Sequence, residues 1–358
     1  MRQEPRFGRM IPAMVTPFDE DRELDLDKAQ ALATRLVDGG SDSLIVNGTT
    51  GESPTVFYPQ KMDLFRAVVE AVGERVPVIA NVGDNCTADT VSFAREVAEL
   101  GVDGFMCVVP YYNKPPQEGI YQHFRTIANA VELPVILYNI PGRCVVNMEA
   151  ETTLRLAREC GNVVAVKEAS GRMEQVEAIV AGAPEGFSVY SGDDAATFDI
   201  MKRGGAGVVS TIGNVAPARM KEIVDLCAAG DWQAAEAANE RLMPLMKGLF
   251  ETANPILVRG PQAGGLPRGR GASAARRRHA RAVRAPRGHH ARGRRARSLR
   301  KGRARRVCRR AREIGRGRRA TALCDNRAMR ARRRRKACGA STRAGHTPVR
   351  VDACPRRA

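Results

Sequence analysis

Eight short apolar runs punctuate the first 211 residues: MIPAMVT (10–16), SLIVN (43–47), PVIANV (77–82), GFMCVVP (104–110), PVILYN (134–139), VVAVKE (163–168), FSVYSG (187–192) and AGVVST (206–211). Each has the length and β-branched content of a strand. Between them, as in DKAQALATRLVDGG (27–40) and TADTVSFAREVAELG (87–101), apolar positions recur every three or four residues, the spacing of one helix face. Gly39-Gly40 and Gly101 stand where helix C-caps belong. Continuous apolar strands alternating with helices predict a parallel sheet buried on both faces. Eight such units in succession predict a closed α/β barrel, the (β/α)8 TIM barrel, rather than a doubly wound sheet.

A barrel of this kind carries its chemistry at the C-terminal ends of its strands. Those ends are polar here. Asn47-Gly48-Thr49-Thr50 follows the second run, Pro110-Tyr111-Tyr112 the fourth, and Tyr138-Asn139 closes the fifth. The sixth ends on Lys167-Glu168, the seventh runs into Ser191-Gly192-Asp193-Asp194, and the eighth ends on Ser210-Thr211. A lysine beside apolar walls has its charged form disfavoured by desolvation. Its neutral amine can then attack a carbonyl and form a Schiff base. Hydroxyl groups nearby can relay the protons. Asp193 and Asp194 read as turn and cap residues, and His123, on a helical stretch, reads as structural.

The stretches GTTGESPT (48–55), PYYNKPPQEGIYQHF (110–124), YNIPGR (138–143), VKEASG (166–171) and SGDD (191–194) together resemble the dihydrodipicolinate synthase family over about residues 9–258. The resemblance implies a class I aldolase-type lyase that condenses pyruvate with L-aspartate-4-semialdehyde in lysine (diaminopimelate) biosynthesis, with no cofactor and no metal. It implies that Lys167 forms the imine and that Tyr138 relays protons with the Thr49 hydroxyl. Tyr112 would reach in from a neighbouring subunit. Backbone amides near Thr49 and Thr50 would hold the pyruvate carboxylate, with Gly192 and Val209 lining that pocket. Arg143 would grip the carboxylate of the semialdehyde, and this arginine separates a synthase from sister pyruvate aldolases, the alternative reading. The family implies a homotetramer, a dimer of dimers. In lysine-inhibited members an allosteric pocket lies where this chain has Ser53, Tyr58, Lys61, Asn85, Asp89 and Tyr111. Lys61 would repel a cationic ligand there, and Asp89 is one methylene shorter than the family's glutamate. Little inhibition by lysine is therefore expected.

Charge divides the chain. Of its 358 residues and net charge of +19, residues 259–358 hold 35 basic and 3 acidic side chains, leaving 23 basic and 36 acidic in residues 1–258. The basic stretch has no Phe, Tyr or Trp to stack bases, and 33 of its 35 basic residues are Arg. Specific nucleic-acid binding is thereby disfavoured, although a polyanion-binding tail is a further alternative. Codons for 259–280 shifted by one nucleotide permit an apolar helix and a proline-bearing loop. That text resembles the family's continuation after its Asn-Pro-Ile segment, here Asn254-Pro255-Ile256. The expected organisation is a barrel over 1–225, a remnant of a C-terminal helical domain over 226–258, and a frameshift-derived, disordered tail over 259–358. Five cysteines before residue 259 form no CxxC, no apolar run reaches the roughly 18 residues of a membrane span, and the N-terminus has no signal-like core. The expected compartment is the cytoplasm.

Overall fold

The computed structural model describes residues 4–263. Every predicted run becomes a strand: β1 (Met10–Pro12), β2 (Leu44–Val46), β3 (Val78–Asn81), β4 (Gly104–Val108), β5 (Val135–Asn139), β6 (Val163–Glu168), β7 (Ser188–Ser191) and β8 (Gly207–Ser210). All neighbours are parallel, in the order β1-β8-β7-β6-β5-β4-β3-β2. A parallel bridge between Ala13 and Ile45 joins the two ends of that order and closes the barrel.

The observed β1 is shorter than its apolar run. Beyond Pro12 side-chain bonds join main-chain ones, in which Ala13 N–H donates to Ser210 O at 2.7 Å and Met14 N–H to Ile45 O at 2.9 Å. Asn214 Oδ1 accepts from Val15 N–H at 3.0 Å and its Nδ2 donates to Ala13 O at 2.8 Å. This meets the requirement that buried backbone groups find partners.

Side chains alternate across each strand, so two cores form. The inner one takes residues from all eight strands: Ile11, Ile45, Ile79, Met106, Ile136 with Tyr138, Ala165, Tyr190 and Val209. The outer one packs the opposite faces, such as Leu44, Phe105, Leu137 and Val166, against the helices. The helix Leu26–Asp38 shows why the intervening segments fold as they do. The Asp25 carboxylate caps its start by accepting from Lys28 N–H. Ala29, Leu32, Ala33 and Leu36 form its buried stripe, and the helix ends at Gly39.

After β8 the helix Pro217–Ala229 ends on Gly230, whose φ of +79° suits glycine. Asp231 then caps the helix Trp232–Gly248. The boundary expected between residues 225 and 226 therefore falls inside a continuous helix. A last helix, Ile256–Ala263, runs past the tail start expected at residue 259. There Arg259 pairs with Glu52 at 2.7 Å, so the segment back to the barrel includes at least this residue. The remainder of the expected tail, 264–358, lies outside the described residues. Among the described residues no helix is long and apolar enough to cross a membrane.

Candidate active site

Lys167 and Tyr138 are register partners on β6 and β5. Both point into the barrel, being two residues along their strands from the inner-core Ala165 and Ile136. The Lys167 Nζ stands 4.1 Å from the centre of the Tyr138 ring. Lys167 is only 5% exposed, and burial lowers its pKa to about 7. The carboxylate of Asp194 opposes that shift and the guanidinium of Arg143 assists it. About half of the amine is thus neutral near pH 7.

Tyr138 is buried, and burial pushes its hydroxyl up to about 12. A hydrogen bond with the Thr49 side chain and the charge of Arg143 pull it the other way. The phenol therefore keeps its proton at neutral pH and can donate it. Gly192 supplies clearance: a Cβ there would meet Ala169 Cβ at 2.6 Å and Lys167 Cε at 3.2 Å. A side chain at this position would push into the lysine itself. Val209 belongs to the same inner cluster as Tyr138.

The turn after β2 carries Thr49 and Thr50. It begins at Asn47 and ends at Glu52, both non-glycine residues with positive φ, +60° and +56°. Such backbone is uncommon and is held in place by its surroundings. Here Asn47 Nδ2 donates to Ser53 Oγ at 3.2 Å, and Gly51 O accepts from the Thr16 hydroxyl at 2.6 Å. Arg143 sits beyond β5 in the short helix Pro141–Cys144, where its Nη2 donates to Asn254 O at 3.0 Å.

Lys167, Tyr138, Thr49, Thr50, Arg143, Gly192 and Val209 thus gather at one end of the barrel, and two other expected groups stand apart from them. Tyr112 is 87% exposed, with φ of +73°, and projects from the chain instead of joining the site. Of the residues matched to the allosteric pocket, Ser53, Tyr58, Lys61 and Asp89 line one cavity of about 340 Å³. Asn85 and Tyr111 do not line it; they bond to each other, Asn85 Nδ2 to Tyr111 O at 3.1 Å. Within the cavity, burial lowers the pKa of Lys61, opposed by Asp84, and its ammonium lies 5.8 Å from the Phe93 ring centre. The Tyr58 hydroxyl donates to Glu96.

Asp193 and Asp194 serve turns, as read from the sequence. Asp193 caps Ala195 N–H, and the buried Asp194 accepts from Ser210 Oγ at 2.5 Å and from the Thr211 and Ile212 amides. His123 is buried and bonds to Thr87 Oγ1 at 2.8 Å, with its pKa lowered to about 4 by desolvation. Sequence reasoning missed two features. One is a buried network behind the lysine, in which Glu168 accepts from Asn139 Nδ2, Gln175 Nε2 and Ser170 N–H. The other is Asn254, whose Nδ2 donates to Thr50 Oγ1 at 2.8 Å. Asn139 reaches Glu168 across 29 residues and Asn254 reaches Thr50 across 204, and no local spacing signals either bond.

The Dihydrodipicolinate synthetase family model matches residues 6–270. The chain belongs to that family. It is 54% identical over 265 residues to the 4-hydroxy-tetrahydrodipicolinate synthase of Moorella thermoacetica, covering 74% of this chain and 90% of that protein. It is 47% identical over 253 residues to the enzyme of the same name from Bacillus subtilis, covering 71% and 87% respectively. Among solved structures, the Cyanidioschyzon merolae enzyme with lysine bound superposes with a TM-score of 0.71 at 42% identity, covering 78% of this chain and 98% of that one. Family membership makes the chain an aldolase-type lyase, and the barrel expected from the strand pattern is the fold its relatives share.

Proposed function

We propose that the family's reaction, condensation of pyruvate with L-aspartate-4-semialdehyde to 4-hydroxy-tetrahydrodipicolinate, runs in this chain through a Schiff base on Lys167. The observation that carries this reading is one buried amine, poised near neutrality, 4.1 Å from the centre of a phenol ring that keeps its proton. The neutral amine adds to C2 of pyruvate, and loss of water leaves the imine. Tyr138, bonded to Thr49, supplies and removes the protons of those steps. Loss of a methyl proton gives an enamine, whose carbon bonds to the aldehyde carbon of the second substrate as the aldehyde oxygen takes a proton. The amino group of that substrate then adds to the imine carbon. The Lys167 nitrogen leaves as the free amine and the ring closes.

Substrate carboxylates need two separate anchors. The amides of the Thr49–Thr50 turn suit the pyruvate carboxylate. Arg143 suits the second one, since a guanidinium can bind two oxygens at once. Arg143 favours this reading over a sister pyruvate aldolase. Tyr112 would complete the proton relay of a neighbouring copy, which fits its exposure and makes the active form at least a dimer, within the tetramer expected of the family. The cavity around Lys61 would be the regulatory site, with lysine binding weakened by that ammonium.

Reduction with borohydride in the presence of pyruvate tests the reading. A mass increase mapped to Lys167, with ring product formed when the semialdehyde is added, is the expected result. An adduct on Lys114 or Lys202, or none, overturns it.

A further inference from the structure

The search for chemistry outside the site leads to the segment that follows the last long helix. Asn254 is 111 residues from Arg143 and 204 from Thr50, yet it touches both. Its main-chain oxygen accepts from Arg143 Nη2 at 3.0 Å, and its side-chain Nδ2 donates to Thr50 Oγ1 at 2.8 Å. The segment is pinned from its far side, where Arg259 pairs with Glu52 at 2.7 Å and its guanidinium lies 4.9 Å from the Phe18 ring centre.

The bond to Thr50 has a direction. An amide N–H enters a lone pair of the hydroxyl, so the hydroxyl's own hydrogen stays available for another acceptor. Among the described residues the alternative acceptor is Thr211 Oγ1, at the weak distance of 3.5 Å. A carboxylate lying on the Thr49–Thr50 turn is a far stronger acceptor. The amide of Asn254 adds little to stability. Asn254 is 9% exposed, and its Oδ1 is buried with no partner among the described residues. A buried carbonyl left unsatisfied is a cost, so the contribution of this side chain is its single bond to Thr50.

We propose that Asn254 is a positioning residue that turns the Thr50 hydroxyl hydrogen toward the carboxylate of the first substrate, while its main-chain oxygen holds the arginine that receives the second. The inference rests on the reading of the Thr49–Thr50 turn and of Arg143 given above. It adds to that reading a single residue that joins the two substrate subsites.

Two variants of the full chain separate this role from a merely structural one. Asn254→Leu removes the N–H donor at similar volume. Asn254→Asp replaces the donor with an acceptor, which takes the Thr50 hydrogen for itself and sets a negative charge beside the substrate carboxylate. The readouts are the pyruvate concentration that half-saturates borohydride trapping on Lys167, the KM of each substrate, and thermal melting. Asn254→Leu should raise the pyruvate constants about two- to fivefold, and Asn254→Asp about tenfold or more. The KM for the semialdehyde should stay within about twofold in both, because the main-chain oxygen on Arg143 is unchanged. Equal effects of the two variants, wild-type constants in both, or a parallel rise for both substrates overturns the proposal. Normal trapping in the wild type with insensitive variants sinks this inference alone. A wild-type chain that traps nothing on Lys167 sinks the proposed function with it.

Discussion

On the proposed reading the chemistry turns on the free-amine fraction of Lys167, and the structure sets both its size and the sign of two perturbations. With a pKa of about 7, roughly three-quarters of the amine is neutral at pH 7.5, against roughly one part in a thousand for an ordinary lysine. The gain in nucleophile concentration is therefore several hundredfold. It comes first from burial, which is opposed by Asp194 and assisted by Arg143. Two variants should then move the titration in opposite directions. Asp194→Asn removes the opposing charge and should lower the inflection, whereas Arg143→Ala removes the assisting one and should raise it. Asp194→Asn keeps a carbonyl oxygen able to accept from the amides of Thr211 and Ile212, so the turn has a route to survive. The assay is the initial rate of reductive trapping with pyruvate alone from about pH 5.5 to about pH 9.5, with the adduct mapped by mass spectrometry. The wild-type rate should fall as pH drops through about 7. An inflection above about 9, or displacement of both variants in the same direction, refutes the electrostatic account.

Stability carries the same signature. The folded pKa lies below the ordinary 10.5, so the unfolded chain binds more protons between about 7 and 10.5 and stability rises with pH across that window. Lys167→Met should therefore melt higher than the wild type at pH 7 and below, by an advantage worth a few kcal/mol that vanishes toward about pH 10.5; equal melting curves at pH 7 would contradict this. Arg143→Ala should raise the KM for the semialdehyde about 10- to 150-fold and that for pyruvate far less, as steady-state kinetics will show. Millimolar lysine should leave the rate nearly unchanged, and Lys61→His should increase inhibition, since it removes a permanent charge from the cavity; strong inhibition of the wild type at submillimolar lysine is the contrary result. Tyr112→Phe should reduce kcat about 10- to 100-fold without changing the melting temperature, because the side chain is exposed within its own chain.

The strands and the candidate lysine were legible because both are local signals. A buried parallel strand is written as one apolar run, and Lys167 interrupts such a run at its C-terminal end. Termini were less legible. The β1 strand ends at Pro12, and beyond it Asn214, some two hundred residues away, supplies partners for Ala13 and Val15. The boundary expected after residue 225 falls within the helix Pro217–Ala229, which runs on to Gly230. Asn254 shows the limit most clearly. Its segment could be recognised, but the bonds from one residue to Thr50 and Arg143 exist only after the barrel has closed. The exposure of Tyr112 likewise bears on its proposed role, which places it in the site of a neighbouring copy.

The short helix Pro141–Cys144, which bears Arg143, lies outside the barrel wall, whereas Lys167 and Tyr138 are part of it. On the proposed reading, activation of the nucleophile is therefore tied to the part of the molecule least able to vary, because altering those strands alters the fold. On that reading the choice of electrophile falls to a four-residue turn, and the one described hydrogen bond of its arginine side chain goes to a single main-chain oxygen. Laboratory evolution toward other aldehyde acceptors should accordingly find its gains in that turn and in the Asn254 segment. A common imine-forming scaffold could then diversify its products while the chemistry that starts every reaction is inherited intact.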